Sequence, residues 1–323
     1  AALFEYFTRH EQKLLFGLNT LPTDLMVYLV ATTATVDEME WALRTYGGDR
    51  NVGKRYSDLT YDTASFKYNK PKKIASLPYT LENLRKVGGV CEEQAYFAAH
   101  VARAIGAPAV YIYGRNADMS HAWVGFLQDR GGSLAWNMDE GHYDEYEKIL
   151  GSVTDPHTGR TISDSELAMS AETLRVPGLG RYAAVALVDA AWLLSQDRKD
   201  WPPKLDPQVE GALTKARPTG KDGTLQLLQA AVTIAPCLPD VWNSVRAAAG
   251  KGIMNGTARQ QFFDVLSANC GKKYPGFGYG VTAALIATVV EPNEQSKAWD
   301  WAFQTFRMRP DLVCAAPSAN SLC

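Results

Sequence analysis

The sequence has no long hydrophobic run, no surplus of basic residues and no closely spaced pair of cysteines. Its longest apolar stretches begin at Leu25 and Tyr182, and both are shorter than the ~20 residues needed to cross a bilayer. The 33 Lys and Arg residues nearly balance the 35 Asp and Glu residues, and the net charge is −2. Binding to nucleic acid depends on many cationic contacts to phosphate, so the balanced charge predicts no nucleic-acid partner. The short apolar stretches predict no membrane span.

The five cysteines are an odd number and lack CxxC spacing, which argues against a disulfide framework or a zinc ribbon. The chain begins without Met and without a signal-peptide pattern, so we expect an excised segment or a mature chain. The sequence leaves the compartment undecided. If a signal peptide has been removed, the cell envelope or secretion is favoured.

Residues 1–75 are predicted to be a helical and extended segment that packs on the core. Apolar residues at helical spacing predict a first helix that runs from Leu3 until Pro22 breaks the pattern. The sequence "TVDEMEWALRTYGG" predicts a second helix with Thr35 as N-cap, Glu38 as its capping-box partner and Gly47 as the stop. Residues 56–68 are rich in Thr, Tyr and Phe and predict an extended segment.

Residues 76–176 are predicted to form an α+β core. A helix is expected from Cys91 to Gly106, followed by the strands "APAVYIYG", "SHAWVGFL" and "LAWNMD". "QDRGGS" predicts the turn between the second and third strands, and "DPHTGR" predicts a polar loop. Ser163 and Glu166 form a capping box. This pattern indicates a buried helix on an antiparallel sheet.

Residues 177–323 are predicted to be an all-α region of helical hairpins. Segments that begin at Leu225, Arg259 and Lys297 are amphipathic, end in Pro or Gly turns and recur at roughly 35-residue intervals, the range of helix-hairpin repeats. The first segment resembles the tetratricopeptide pattern, but a plain helical bundle explains the same spacing. The last segment has no capping helix after it, so we expect the natural protein to continue.

Cys91 is the candidate nucleophile. It lies at the first turn of the predicted helix, where backbone N–H groups lower the pKa of a thiol, while Glu92 and Glu93 oppose that effect. Small residues along the helix predict close packing on the sheet. A cationic partner is therefore needed, and without one Cys91 is simply a packed thiol.

His121 is the candidate partner. In a strand it shares a face with Trp123, opposite the apolar face of Ala122 and Val124. A turn centred near Arg130 places His121 opposite the neighbourhood of Asp139, whose carboxylate would orient the imidazole. Asn137 shares that face and is the second choice. A structural histidine and ordinary polar strand ends are the alternatives.

These blocks together resemble the transglutaminase-like core of the papain-type thiol superfamily. The resemblance lies in "GGVCEEQAYFAAHVARAIGAPAVYIYG", "HAWVGFL" and "WNMD". Seven residues fall on the family positions in order: Cys91, Arg103, Gly106, Pro108, His121, Trp123 and Asp139. The spacing after Trp136 departs from the usual pattern, which leaves Asp139 and Asn137 open as the third member of a catalytic triad.

The resemblance implies acyl transfer from a protein or peptide amide through Cys91, His121 and Asp139, without a cofactor. Bacterial-looking members with added helical domains favour hydrolysis over cross-linking. An oxyanion hole of this family uses the nucleophile's own N–H and an upstream donor, for which Tyr79 and Asn83 are candidates. Trp123, His142 and Tyr143 are candidate cleft residues.

Two other functions remain open. The core could be an inert scaffold that binds a protein partner through the C-terminal helices, since a fold does not dictate function. Cys91, His121, Asp139 and His142 are also possible zinc ligands. We predict no metal, because these residues lack the spacing of ligand pairs.

Overall fold

The structure is a computed structural model that describes residues 2–131, 134–146, 149–171, 178–196, 220–271 and 273–306. Two compact units divide the chain between Ala168 and Met169. The first unit contains both regions that the sequence separated at residue 75. The predicted boundary between residues 176 and 177 lies outside the described residues.

The first unit combines helices with one antiparallel sheet, which confirms the α+β class. Its helices are α1 (Ala2–His10), α2 (Thr23–Val30), α3 (Val36–Tyr46), α4 (Thr63–Tyr68), α5 (Leu81–Val87) and α6 (Cys91–Ala104). Its strands are β1 (Ala109–Arg115), β2 (Ser120–Asp129), β3 (Leu134–Asn137), β4 (Gly151–Thr154) and β5 (Thr161–Ser163). The described residues form a five-stranded sheet in the order β3-β2-β1-β4-β5. Helix α7 (Asp164–Ser170) follows β5.

The predicted strands β1, β2 and β3 are confirmed, whereas β4 and β5 were not predicted. The "DPHTGR" loop joins these two short strands, and the Asp155 N–H donates to the carbonyl of Arg160 at 2.8 Å. Neither β4 (GSVT) nor β5 (TIS) contains an aromatic residue, and each has a single large apolar side chain, so their composition does not mark them as strands.

The capping box of α3 is confirmed. The Thr35 side chain accepts from the Glu38 N–H, and the Glu38 carboxylate accepts from the Thr35 N–H at 2.9 Å. The helix ends at Gly47 as predicted. At α7, the Ser163 hydroxyl likewise accepts from the Glu166 N–H at 3.0 Å.

Two predictions for the N-terminal region are wrong. The first helix ends at His10 and does not reach Pro22. A 3-10 turn (Glu11–Lys13) and a loop follow it, although the apolar residues keep their helical spacing. Residues 56–68 are not one extended segment: the 3-10 helix Gly53–Asp58 ends within it, α4 takes its second half, and Tyr61 between them forms an isolated parallel bridge with Gly89. The Asp62 side chain caps α4 by accepting from the Ser65 N–H, and this local bond outweighs the strand propensity of the aromatic residues.

Helix α6 packs against β1 and β2 and forms the centre of the first unit. Its small residues are at most 1% exposed, so the helix backbone approaches the sheet closely, as predicted. These residues are Ala95, Ala98, Ala99 and Ala102. Strand β2 is buried on both faces along most of its length. The sheet and helix thus form the rigid support for Cys91 and His121.

His100 on α6 is a buried histidine. Its Nδ1 lies 2.7 Å from the Thr32 hydroxyl, and its ring packs 4.1 Å from the ring of Tyr96. Burial and the nearby charge of Arg103 lower the pKa of His100 to about 3. The folded protein therefore keeps His100 uncharged at pH values where an exposed histidine is protonated.

We expect the free energy of unfolding to fall as the pH drops from about 6.5 toward about 3, by roughly 1.4 kcal/mol per pH unit from this group. Only the unfolded chain binds the proton in that window, so acid favours unfolding. Urea titrations at several pH values should show a shallower slope in His100→Gln. The exposed His157→Gln variant is the control. Equal slopes in wild type and His100→Gln would refute the assignment.

The second unit is helical in its described part. It contains α8 (Gly178–Ser195), α9 (Gly220–Ile234), α10 (Pro239–Gly250), α11 (Gly256–Leu266), α12 (Pro275–Ile286) and α13 (Pro292–Phe306). Trp242 is fully buried, and its indole N–H donates to the carbonyl of Pro236 at 2.7 Å between α9 and α10. The helical C-terminal region is confirmed, and its nature as a repeat array stays a prediction. The sequence after Phe306 lies outside the described residues.

None of the helices in the described ranges is long and apolar enough to span a membrane.

Candidate active site

The loop "GGV" holds Cys91 at the start of α6. Gly88 has φ +80°, and a Cβ there would lie 2.1 Å from the Thr60 carbonyl oxygen. The Gly89 N–H donates to the same oxygen at 3.1 Å, and the Asp62 N–H donates to the Gly89 carbonyl at 2.9 Å. Because two backbones approach this closely, the loop excludes side chains and fixes the entry into α6.

The first turn of α6 places the Cys91 thiol, which is free and partly exposed, beside β2. Burial raises the pKa of the thiol above its ordinary value. Hydrogen bonds from the backbone amides of Ala122 and Glu92 act in the opposite direction, while the carboxylates of Glu92 and Glu93 add to the rise. Cys91 is therefore protonated in the resting protein at neutral pH.

The His121 imidazole is buried and held in one tautomer. Its Nε2 lies 2.5 Å from the carbonyl oxygen of Gly141, and because a carbonyl only accepts, Nε2 carries the proton. Nδ1 is consequently the basic nitrogen of the neutral ring. The ring of Tyr146 stacks on the imidazole with a centroid distance of 3.8 Å and an interplanar angle of 8°.

The charge state of His121 follows from its surroundings. Burial lowers the pKa of the imidazole, and the nearby His142 adds to this effect. The hydrogen bond to Gly141 and the carboxylate of Glu145 oppose it. The resting pair is thus a neutral thiol beside β2 and a neutral imidazole, and no Cys91–His121 hydrogen bond is present in the part of the chain that the structure describes.

The predicted register between β2 and β3 is wrong. Asp129 pairs with Leu134 and Phe126 pairs with Asn137, so the turn lies later than a turn centred at Arg130. Gly131, with φ +65°, lies between these two strands. After β3, the Val124 N–H donates to the Glu140 carbonyl at 3.2 Å. The chain therefore brings Gly141, and not the carboxylate of Asp139, level with His121.

Asp139 and Asn137 make a hydrogen bond with each other. Asp139 is exposed, and its N–H donates to the Asn137 side-chain oxygen at 2.9 Å. Asn137 lies in β3 opposite Phe126. Among the described residues, neither side chain hydrogen-bonds to His121. The group that His121 Nε2 contacts in this structure is the main-chain carbonyl of Gly141.

The other predicted site residues have varied surroundings. Trp123 is fully buried and stacks on His142 with ring centroids 4.3 Å apart. The His142 Nε2 donates to the Tyr146 carbonyl at 2.9 Å, so His142 fixes the segment that covers His121. The Asn83 amide donates to the Pro78 carbonyl at 3.0 Å. Tyr79 is 48% exposed and packs on Tyr96.

Three residues that contact the site were not singled out for it from the sequence. The Tyr56 hydroxyl donates to the Ala122 carbonyl at 2.9 Å, next to the backbone amide that contacts Cys91. Gly141 and Tyr146 complete the surroundings of His121. Of the three, only Gly141 carries a local signal, because a glycine shortly after a strand often supplies a left-handed residue. Gly141 has φ +84°.

Within the described ranges, no group of three His, Cys, Asp or Glu side chains is arranged to bind a metal ion.

Comparisons with known proteins give one family match. Residues 40–137 match the family model of the transglutaminase-like superfamily. No curated protein matches the chain. Among solved structures, the chain is similar to a proposed cysteine protease from Cytophaga hutchinsonii at 16% identity, with a TM-score of 0.29, over 48% of this chain and 50% of that chain. The similarity spans only about half the length of that protein, and a TM-score this low does not establish a shared overall fold.

Proposed function

We propose that the chain, whose residues 40–137 match the family model of the transglutaminase-like superfamily, is a cysteine-dependent acyl-transfer enzyme that acts on a protein or peptide amide. Cys91 is the nucleophile and His121 is the general base and acid. The observation that carries the proposal is the hydrogen bond from His121 Nε2 to the Gly141 carbonyl at 2.5 Å. Because Nε2 carries the proton, Nδ1 is the nitrogen that can take the thiol proton. His121 lies in β2, and the backbone of this strand contacts Cys91 at Ala122.

The proposed reaction has two steps. The Nδ1 of His121 takes the proton of the Cys91 thiol as sulfur attacks the amide carbonyl, and the C–N bond breaks as the imidazolium returns the proton to the leaving amine. Water then attacks the thioester, aided by the neutral imidazole, to release the acid and the thiol. Hydrolysis is favoured over transfer to an amine, and no cofactor takes part.

The orienting group in this proposal is the Gly141 carbonyl, with Asp139 as the alternative and Asn137 ranked below it. A carbonyl oxygen that accepts from Nε2–H fixes the tautomer and stabilises the imidazolium by its dipole, although less strongly than a carboxylate does. Tyr146 supports the same state, because the face of an aromatic ring attracts a cation.

The test is the pH profile of Cys91 alkylation by iodoacetamide, with the modified residue identified by mass spectrometry. In wild type we expect a shoulder that begins below the ordinary histidine pKa of about 6.5, followed by a second rise above the ordinary thiol pKa of about 8.5. The shoulder reports the imidazole that takes the thiol proton. His121→Ala should lose the shoulder and keep the second rise.

Superimposable profiles in the two proteins would overturn the catalytic proposal. They would favour the alternative, an inert transglutaminase-like scaffold with a protein partner on the C-terminal helices. The neutral resting states of Cys91 and His121 are what support that alternative. A pulldown of binding partners that is lost on deletion of residues 200–323 but unaffected by Cys91→Ala would strengthen it.

A further inference from the structure

Two carboxylates lie beside the proposed nucleophile. Glu92 and Glu93 follow Cys91 in the first turn of α6, and both oppose ionisation of its thiol. Glu93 is 3% exposed, and its Oε2 accepts from the Val90 N–H at 3.0 Å. The carboxylate therefore caps α6 and cannot move away from the sulfur without loss of the cap.

One ammonium group contacts both carboxylates. Lys72 Nζ lies 2.9 Å from Glu92 Oε2 and 2.8 Å from Glu93 Oε1. Burial disfavours the charged form of Lys72, but the hydrogen bonds with Glu93 and Glu92 outweigh it and raise the pKa of the ammonium. Lys72 thus stays charged at every pH at which the thiol reacts.

The segment that carries Lys72 is attached to the loop before Cys91. The Lys73 N–H donates to Asp62 Oδ2 at 3.3 Å, and Asp62 is only 2% exposed. The Asp62 N–H in turn donates to the Gly89 carbonyl at 2.9 Å. Lys72 is therefore held in place by the same contacts that position the nucleophile.

The other titratable groups that face Cys91 do not replace this charge. They come from the segments before α4, from β1 and from the 3-10 helix Asp144–Tyr146. They are Tyr56, Tyr61, Tyr111 and Tyr146. Burial raises the pKa of each phenol, so all four are neutral when the thiol titrates. His121 lies in β2 next to Ala122, whose amide contacts Cys91, and its imidazole is neutral at rest.

We propose that Lys72 is a positioning residue for the thiol chemistry of Cys91: its ammonium pairs with both Glu92 and Glu93, offsets one of their two negative charges and so keeps the thiolate attainable. This inference rests on the proposed role of Cys91 as the nucleophile. Without Lys72, two negative charges at the helix start face the developing thiolate. The helix N-terminus alone does not offset them, because its effect is that of about half a positive charge.

The experiment compares iodoacetamide alkylation of Cys91 across pH in wild type, Lys72→Met and Lys72→Arg. In Lys72→Met the thiolate limb should move to higher pH, and the rate near neutral pH should fall about three- to tenfold at low salt. Lys72→Arg retains the charge and should stay near wild type. The added substitution Glu92→Gln in the Lys72→Met protein should restore part of the rate.

Two controls separate this effect from a loss of structure. Lys86→Met breaks the exposed Lys86–Glu82 pair, 2.9 Å apart on α5, and should leave the profile unchanged. A urea titration establishes that Lys72→Met is folded during labelling. Added salt should narrow the difference between Lys72→Met and wild type.

An unshifted thiolate limb in folded Lys72→Met would overturn the proposal. A shift of equal size in Lys72→Arg would also overturn it, because the effect would then depend on packing and not on charge. Failure of the catalytic proposal gives a different result. The wild-type profile would then lack the His121-dependent shoulder, while the thiolate limb would still shift in Lys72→Met.

Discussion

Replacing Cys91 with Ala should abolish acylation of the protein by p-nitrophenyl acetate, and replacing His121 with Ala should slow that acylation about 100-fold or more near neutral pH. The first change removes the proposed nucleophile. The second removes the proposed base for the thiol proton, and burial then keeps Cys91 protonated. The release of p-nitrophenol measures the rate, and mass spectrometry locates the acetyl group on Cys91.

Asp139→Ala is the matched control, because it decides which group orients His121. Asp139 is exposed, and the Gly141 carbonyl lies at the imidazole. We therefore expect the Asp139→Ala rate to stay within about twofold of wild type, as for an ordinary surface substitution. A loss in Asp139→Ala as large as that in His121→Ala would instead make Asp139 the third member of the triad.

Gly141→Ala should both destabilise the protein and slow acylation of Cys91. Gly141 has φ +84°, and a Cβ at this position would lie 2.6 Å from ring carbons of the buried Tyr56. The left-handed backbone costs about 1–2 kcal/mol, and crowding of the core adds about 1–3 kcal/mol. The shift also moves the carbonyl away from His121 Nε2. Urea unfolding and the acetate assay measure the two effects.

Gly48→Ala controls for backbone strain alone. Gly48 has φ +96°, and a Cβ at this position would meet no atom within 4 Å, so only the left-handed backbone is penalised. We expect a loss of about 1–2 kcal/mol and unchanged acylation. Equal losses of stability and rate in the two variants would show that the contact with Tyr56 and the position of the Gly141 carbonyl do not matter.

The elements that the sequence predicted well are those with local signals. Thr35, Glu38 and Gly47 lie within one helix and cap it through bonds between near neighbours. The strands around His121 have β-branched and aromatic residues over enough length to be recognised. The segment 56–68 has similar composition, yet it is helical where the Asp62 side chain caps α4. A single side-chain bond there outweighed the average propensity.

In the candidate site, too, the features with local signals were predictable and the contacts between distant residues were not. Cys91 at the start of a helix and His121 on a strand were read from the sequence, and the structure places both there. Their electrostatics were only partly predictable. Glu92 and Glu93 are adjacent in sequence and were expected to oppose the thiolate. Lys72, which pairs with both, is about 20 positions away, and no local pattern connects it with them.

By itself the sequence determined the α+β core, the helical C-terminal region and the positions of Cys91 and His121 on their elements. Those features depend on periodicity, caps and motifs that act over a few residues. Only the tertiary structure decided which group meets His121 Nε2. That choice depends on the register of β2 and β3, in which Phe126 pairs with Asn137, and a shift in this register exchanges the Asp139 carboxylate for the Gly141 carbonyl.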